Sequence, residues 1–321
     1  MDFQQIVDAV LSDADVYRGH GTPAAYIPAL KQVDPRKLGI AVVLGDGSSY
    51  VAGDADEAFS IQSISKVFTL SMALQRVGPL LWNRVGREPS GSPFNSIVQL
   101  EEERGKPRNP LINAGAFVVT DQLIEADANH ENANHADRGE AAADDAVARL
   151  LEFLQERSGA EAIAIDRTVA ISESQAGALN RSLAHFVAAH GNMDNPVETV
   201  LSVYFRQCAI AMSCRQLARA ALYLAFDGTD PVTGDVIVAS NRSRRINAIM
   251  LTCGHYDNSG DFAFRVGLPG KSGVGGGIIA VSPGHGAVCV WSPGLNAAGT
   301  SLAGAVALEK LVERTGWSVF A

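Results

Sequence analysis

Two short β-rich runs, each turned back on itself at a glycine-containing turn, stand near opposite ends of this chain and leave almost everything between them helical. The first, Leu38-Gly39-Ile40-Ala41-Val42-Val43-Leu44, meets the turn signal Gly45-Asp46-Gly47 and a second run at Ser49-Tyr50-Val51, which reads as a hairpin. The second pairs Gly277-Ile278-Ile279-Ala280-Val281-Ser282 with Ala287-Val288-Cys289-Val290-Trp291 across Pro283-Gly284-His285-Gly286, and residues 300–314 then read as a helix. Between them, helical apolar spacing recurs through residues 63–77, 110–124, 143–157, 196–225 and 240–253, with little strand signal. Strands distant in sequence therefore share one antiparallel sheet packed against terminal helices. The expected class is mixed α/β (α+β), with a sheet lobe from residues 1–62 and 255–321, a mainly helical lobe inserted as 63–254, and any site between the two. There is no internal repeat.

Composition narrows the partners. At 321 residues, 47% hydrophobic and 19% charged, the chain can bury a full core. The 35 acidic against 26 basic side chains give a net charge of -9, which repels phosphate backbones and anionic membranes, so neither nucleic acid nor membrane is expected as a partner. The start, Met1-Asp2-Phe3-Gln4-Gln5, has no basic segment or apolar run of the secretory kind, and a cytoplasmic location is expected. Arg206 interrupts the apolar stretch from Val200 to Met212, and Pro283 and Gly284 break the one after Gly277, so neither spans a bilayer. Cys208, Cys214, Cys253 and Cys289 form no C-x-x-C pair and no zinc spacing, and read as reduced, buried thiols. Residues 125–142 read as a solvated polar loop; His130 and His135 within it raise a metal reading that the loop's composition disfavours.

Three short motifs carry chemistry. Ser63-Ile64-Ser65-Lys66 opens an apolar helical segment, and residues three apart share a helix face, so the serine hydroxyl and lysine amine lie within mutual reach. A lysine in an apolar setting is costly as an ammonium, and desolvation turns it into a base. Taken alone, this motif reads more readily as a capping Ser63 with Lys66 snorkelling to the surface. The second motif, Lys271-Ser272-Gly273-Val274-Gly275-Gly276-Gly277, leads into a strand, and its glycines let a substrate approach backbone N–H groups. Only six lysines stand against twenty arginines, so lysine at both 66 and 271 is a selective choice. A phosphate-binding P-loop is excluded because position 265 is arginine where a glycine is required. Tyr256-Asp257-Asn258 supplies a Y-x-N element, and the three motifs in this order match the triplet of penicillin-recognising serine enzymes. Tyr256 lies just upstream of Lys271, however, whereas β-lactamases carry the middle motif well inside the helical lobe. The match is thus to the superfamily and not to β-lactamase activity.

Longer strings carry a closer resemblance. Ala25-Tyr26-Ile27-Pro28-Ala29-Leu30, Phe59 through Lys66, Glu88 through Asn95, Asn109 through Ala116 and Lys271 through Gly277 resemble the glutaminase family of bacteria and animal mitochondria, from about residue 20 to 315. That resemblance implies a β-lactamase-like fold and hydrolysis of the L-glutamine side-chain amide to L-glutamate and ammonia through a serine-bound acyl-enzyme. It implies Ser63 as nucleophile, Lys66 as general base, Tyr256 as proton relay, and the backbone N–H groups of Ser63 and Val274 as the oxyanion hole. It further implies Glu173 as acceptor of the substrate ammonium, with Asn113, Asn180, Tyr204 and Tyr26 lining the carboxylate and amide ends. No cofactor or metal is implied, and a homodimer or homotetramer is. Two rivals stand beside this reading: a penicillin-binding or esterase-like hydrolase on the same fold, and a sensor that binds an amino acid without turning it over.

Overall fold

The computed structural model describes residues 2–91, 96–125 and 135–321. Its main sheet has five antiparallel strands in the order β2-β1-β8-β7-β6, where β1 is Gly39–Leu44, β2 Ser49–Gly53, β6 Gly270–Ser272, β7 Gly277–Ser282 and β8 Gly286–Trp291. Both expected hairpins form, and they join where β1 pairs with β8, Ile40 opposite Val290 and Val42 opposite Val288.

The central strands are apolar on successive residues because both faces of the sheet are covered. Ile40, Val42, Ile278, Ala280, Val288 and Val290 point to one core, closed by the helices Phe3–Ala14 and Leu302–Thr315. Ala41, Val43, Ile279, Val281, Cys289 and Trp291 point the other way, into a larger cluster continuous with the helical lobe. The helix Cys214–Ala225 packs directly on that second face, its Leu217, Ala218, Ala221 and Leu224 all buried. The sheet lobe thus draws a helix from inside the 63–254 stretch, and one core runs through both lobes.

Two expectations are corrected here. The helical reading of 196–225 breaks into helices Val197–Cys208 and Cys214–Ala225 around a strand, β5 (Ile210–Met212), which lies between β3 (Phe59–Ser60) and β4 (Ala164–Ile165) in a small second sheet. Ile210 and Met212 are fully buried, and the run is too short to break a helical period. The polar loop read at 125–142 holds less of that span than expected: the helix His135–Ser158 starts inside it, carried by alanines that favour helix. His130 lies outside the described residues.

The small sheet positions the chemistry. β3 runs straight into a tight 3-10 turn, Gln62–Ile64, and then the helix Ser65–Val77, so Ser63 sits where strand, turn and helix meet. Among the described residues no helix is long and apolar enough to cross a membrane.

Candidate active site

The turn that presents Ser63 is strained. Gln62 has φ +51°, a left-handed conformation that costs a non-glycine residue roughly 1–3 kcal/mol. Its side chain is engaged in compensation: the amide donates to Ser60 Oγ at 2.9 Å and also bonds Glu173, while Ser60 Oγ donates to the Cys208 carbonyl at 2.8 Å. Pressed against this segment is the glycine run of the third motif. A Cβ on Gly273 would lie 2.6 Å from the Ile61 carbonyl oxygen, and one on Gly275 2.2 Å from that of Ser60. Glycine is therefore a steric requirement at both places, and it brings Val274 to the cavity wall beside Ser63.

Lys66 lies one helical turn beyond Ser63 and is 1% exposed, which removes the snorkelling alternative. Its ammonium donates to Asn113 Oδ1 at 2.7 Å and to the Leu111 carbonyl at 3.2 Å, and stands 5.7 Å from the centre of the Tyr204 ring. Burial drives its pKa down from 10.5 to about 8, against a smaller opposing pull from Cys208 and Glu173. Asn113 is the hub: it accepts from Lys66 and, at 3.2 Å, from the Tyr204 hydroxyl, and donates to Asn180 Oδ1 at 2.9 Å.

Tyr256 reaches the cavity from a second strained position, φ +53°, in the 3-10 turn Tyr256–Asn258. Ser259 Oγ holds that turn, donating to the Tyr256 carbonyl at 2.9 Å and accepting from the His255 N–H at 3.0 Å. Burial raises the pKa of the Tyr256 phenol well above the phenol norm, against a smaller opposing pull from the Ser63 hydroxyl beside it. Lys271 lies fully buried under the same ring, its ammonium 4.3 Å from the centroid and donating to the carbonyls of Gly254 (3.0 Å) and Ser272 (2.5 Å).

Glu173 comes from the helix Arg167–Ala176, capped by Asp166, whose carboxylate accepts from the N–H groups of Thr168 and Val169. The carboxylate is 7% exposed, and burial lifts its pKa from 4.5 to about 7, with the Gln62 hydrogen bond and Lys66 pulling it back. One residue earlier, Ser172 Oγ accepts from the Ala29 N–H at 3.2 Å and so fastens the segment bearing Tyr26 across the mouth. Tyr26 is 57% exposed there, a rim residue and not a core one.

These groups surround a cavity of about 150 Å³. Ser63, Tyr256, Tyr26, Asn113, Glu173, Asn180, Tyr204 and Val274 all line it; Lys66 stands behind the wall and reaches it through Asn113. The sequence reading missed Gln62, Ile27, Ala176, Leu179 and Cys208, which complete the lining. Gln62 stood next to the motif and could have been found from it. Cys208 reads in sequence as a core thiol, and burial indeed pushes it up to about 12.

An antiparallel sheet with flanking terminal helices, an inserted helical lobe and a serine–lysine turn at their junction is the architecture of the β-lactamase-like amidohydrolases. The profile of the Glutaminase family matches residues 21–320. A glutaminase from Rhizobium etli (strain CIAT 652) is 58% identical over 319 residues, covering 99% of this chain and 99% of the relative. Among solved structures, a probable glutaminase superposes with a TM-score of 0.87 at 36% identity over 99% of this chain and 97% of the other. A probable glutaminase from Bacillus subtilis complexed with 6-diazo-5-oxo-L-norleucine gives 0.86 at 30% identity, covering 100% and 98%. The chain belongs to the glutaminase family.

Proposed function

We propose that the chain hydrolyses the side-chain amide of free L-glutamine to L-glutamate and ammonia, with Ser63 as nucleophile, and that the carrying observation is one small cavity lined by Ser63, by the Tyr256 phenol beside it and by a buried carboxylate, Glu173. A free amino acid brings an ammonium and a carboxylate into the protein together. Glu173 meets the ammonium; Asn113, Asn180, Tyr204 and the rim Tyr26 offer neutral donors to the carboxylate and amide ends.

Lys66, with its pKa lowered towards neutrality, accepts the Ser63 proton as Oγ attacks the amide carbon. The N–H groups of Ser63 and Val274 hold the oxyanion, where each such donor is worth roughly 3–4 kcal/mol. Tyr256, beside Ser63, relays the proton held by Lys66 to the departing nitrogen, leaving a glutamyl ester that water hydrolyses by the reverse sequence. No step calls on a cofactor. The acidic composition fits a cytoplasmic enzyme acting on a small solute, and the family resemblance implies a homodimer or homotetramer.

The test is ammonia release from a panel of free amino-acid amides, beside hydrolysis of a chromogenic β-lactam. L-glutamine should be the preferred substrate, with turnover abolished in a folded Ser63→Ala chain. Preference for the β-lactam would transfer the protein to the penicillin-recognising rival, and binding of glutamine without turnover would make it a sensor.

A further inference from the structure

His255 and Asn258, which flank Tyr256 in the chain, line a second cavity of about 170 Å³, no smaller than the one assigned to substrate. It opens between the helix Ser259–Arg265 and the loop Asn296–Ser301, at the N-terminus of the helix Leu302–Thr315, with Tyr17 on its wall. Two buried polar side chains line it without using their hydrogen-bonding capacity. His255 is 0% exposed and Thr300 3%, yet neither the His255 ring nitrogens nor Thr300 Oγ1 has a hydrogen-bond partner among the described residues. Native proteins rarely leave such atoms unmet, so they mark a place where something polar is received.

We propose that this cavity is a second binding site, for a free α-amino acid, set to act on the substrate cavity through the loop Asn296–Ser301. The choice of ligand follows from size and charge. Arg265 lines the cavity but is already flanked by Glu309, which it bonds, and by Asp261 at 3.6 Å, so a plain anion meets more negative charge than positive. A zwitterion is suited to both signs. Its ammonium faces Asp261, and its carboxylate faces Arg265 and the Thr300 hydroxyl. Asn258, Asn296 and His255 offer neutral donors and acceptors to a short side chain; burial and the nearby Lys271 keep the imidazole uncharged.

The coupling route is short. Asn296 ties the loop together, its Oδ1 accepting from the N–H groups of Ala298 and Thr300, both at 3.0 Å. A Cβ on Gly299, in the same loop, would lie 3.6 Å from Val274 and 4.0 Å from the Tyr256 ring. An occupant touching Thr300 is thus one residue away from two walls of the substrate cavity.

Only this coupling rests on the reaction assigned above; the binding does not. The experiment titrates L-glutamine, a zwitterion with a neutral side chain, by calorimetry into the full Ser63→Ala chain, which should not consume it, and the further variants titrated are made in that background. Two sites per chain are expected. Glu173→Gln should weaken one at least tenfold, and Thr300→Val, which removes only a hydroxyl, should weaken the other at least tenfold. Ala305→Leu, filling the second cavity from the helix, should do the same and serves if Thr300→Val does not fold. Rate against glutamine concentration should depart from a simple hyperbola in the parent and return to it in Thr300→Val. A single site, or a second site that survives both cavity variants, overturns the proposal. Two sites with a hyperbolic parent overturn the coupling. A second site lost in Thr300→Val while the first ignores Glu173→Gln upholds this proposal and counts against the reading of the substrate cavity.

Discussion

The five-stranded sheet and the wall of the substrate cavity lie one layer apart and are built on opposite terms. In the sheet, successive side chains feed two apolar cores, Ile40 and Val42 into one, Ala41 and Val43 into the other, and backbone groups are paired strand to strand. The cavity wall collects what the sheet excludes. Outside glycine, left-handed backbone occurs among the described residues at Gln62, Arg104, Asp227 and Tyr256, and two of these four line the cavity. Three groups that are normally charged, Lys66, Lys271 and Glu173, are buried at or beside it. The sheet supplies stability and the wall consumes some of it to hold reactive groups in uncomfortable states.

The sharpest test of that division is Lys66→Arg. Arginine keeps the charge and much of the stem but cannot release its proton, so a base is removed while a cation stays. The expected loss in kcat is about 10³-fold or more, with Lys66→Met controlling for the larger side chain. A folded Lys66→Arg chain within about tenfold of the parent would hand the base to Tyr256.

Ile279→Ala breaks the comparison from the other side. Removing this fully buried strand residue should lower unfolding free energy by about 2–5 kcal/mol in urea titration, with KM for glutamine unmoved. A changed KM with intact stability would mean that sheet and site are not separable.

Glu173→Gln keeps the shape of the wall and deletes its charge. A hydrogen bond to a charged group is worth about 1.5–3 kcal/mol, so KM should rise roughly 10- to 100-fold with a smaller change in kcat. Unchanged kinetics would assign Glu173 to packing.

The mildest perturbation of the wall is pH itself, read as the slope of rate against pH. Lys66 acts when neutral and gains that form as pH rises through about 8; Glu173 binds an ammonium when ionised and gains that form as pH rises through about 7. Both changes carry the same sign, so kcat/KM should climb between pH 6 and 9, most steeply below pH 7, where both groups titrate and the slope approaches about a hundredfold per unit, and by about tenfold per unit or less above it. Stability should split the two groups. The lowered Lys66 pKa penalises the fold fully below about pH 8 and is relieved towards 10.5, whereas the raised Glu173 pKa adds its penalty as pH rises from 4.5 to about 7. A profile flat across this range, with the fold intact, would show that neither titration governs turnover.

How far this was readable from sequence follows the same line. The hairpins were legible because their turns are written in glycine and proline and their strands in branched apolar residues. The S-x-x-K and K-S-G motifs were legible because lysine is scarce in this chain. Glu173 and Asn180 have no local signature; they matter through contacts between residues far apart in sequence, and the resemblance alone singled them out. The left-handed turns at Gln62 and Tyr256 were invisible, since neither residue type announces that backbone, and β5 was hidden because three residues cannot interrupt a helical period.

The pairing of β1 with β8 has a consequence for how the chain is made. Leu44 meets Gly286, roughly 240 residues later, and at about 5–20 residues per second a ribosome needs some tens of seconds to deliver the partner. Through that interval the β1–β2 hairpin carries an open, apolar edge, which invites pairing with another nascent chain. Production of this protein should therefore be limited by what shields that edge during synthesis, and a β1 charge that leaves the finished fold weaker could still raise the yield of soluble chain.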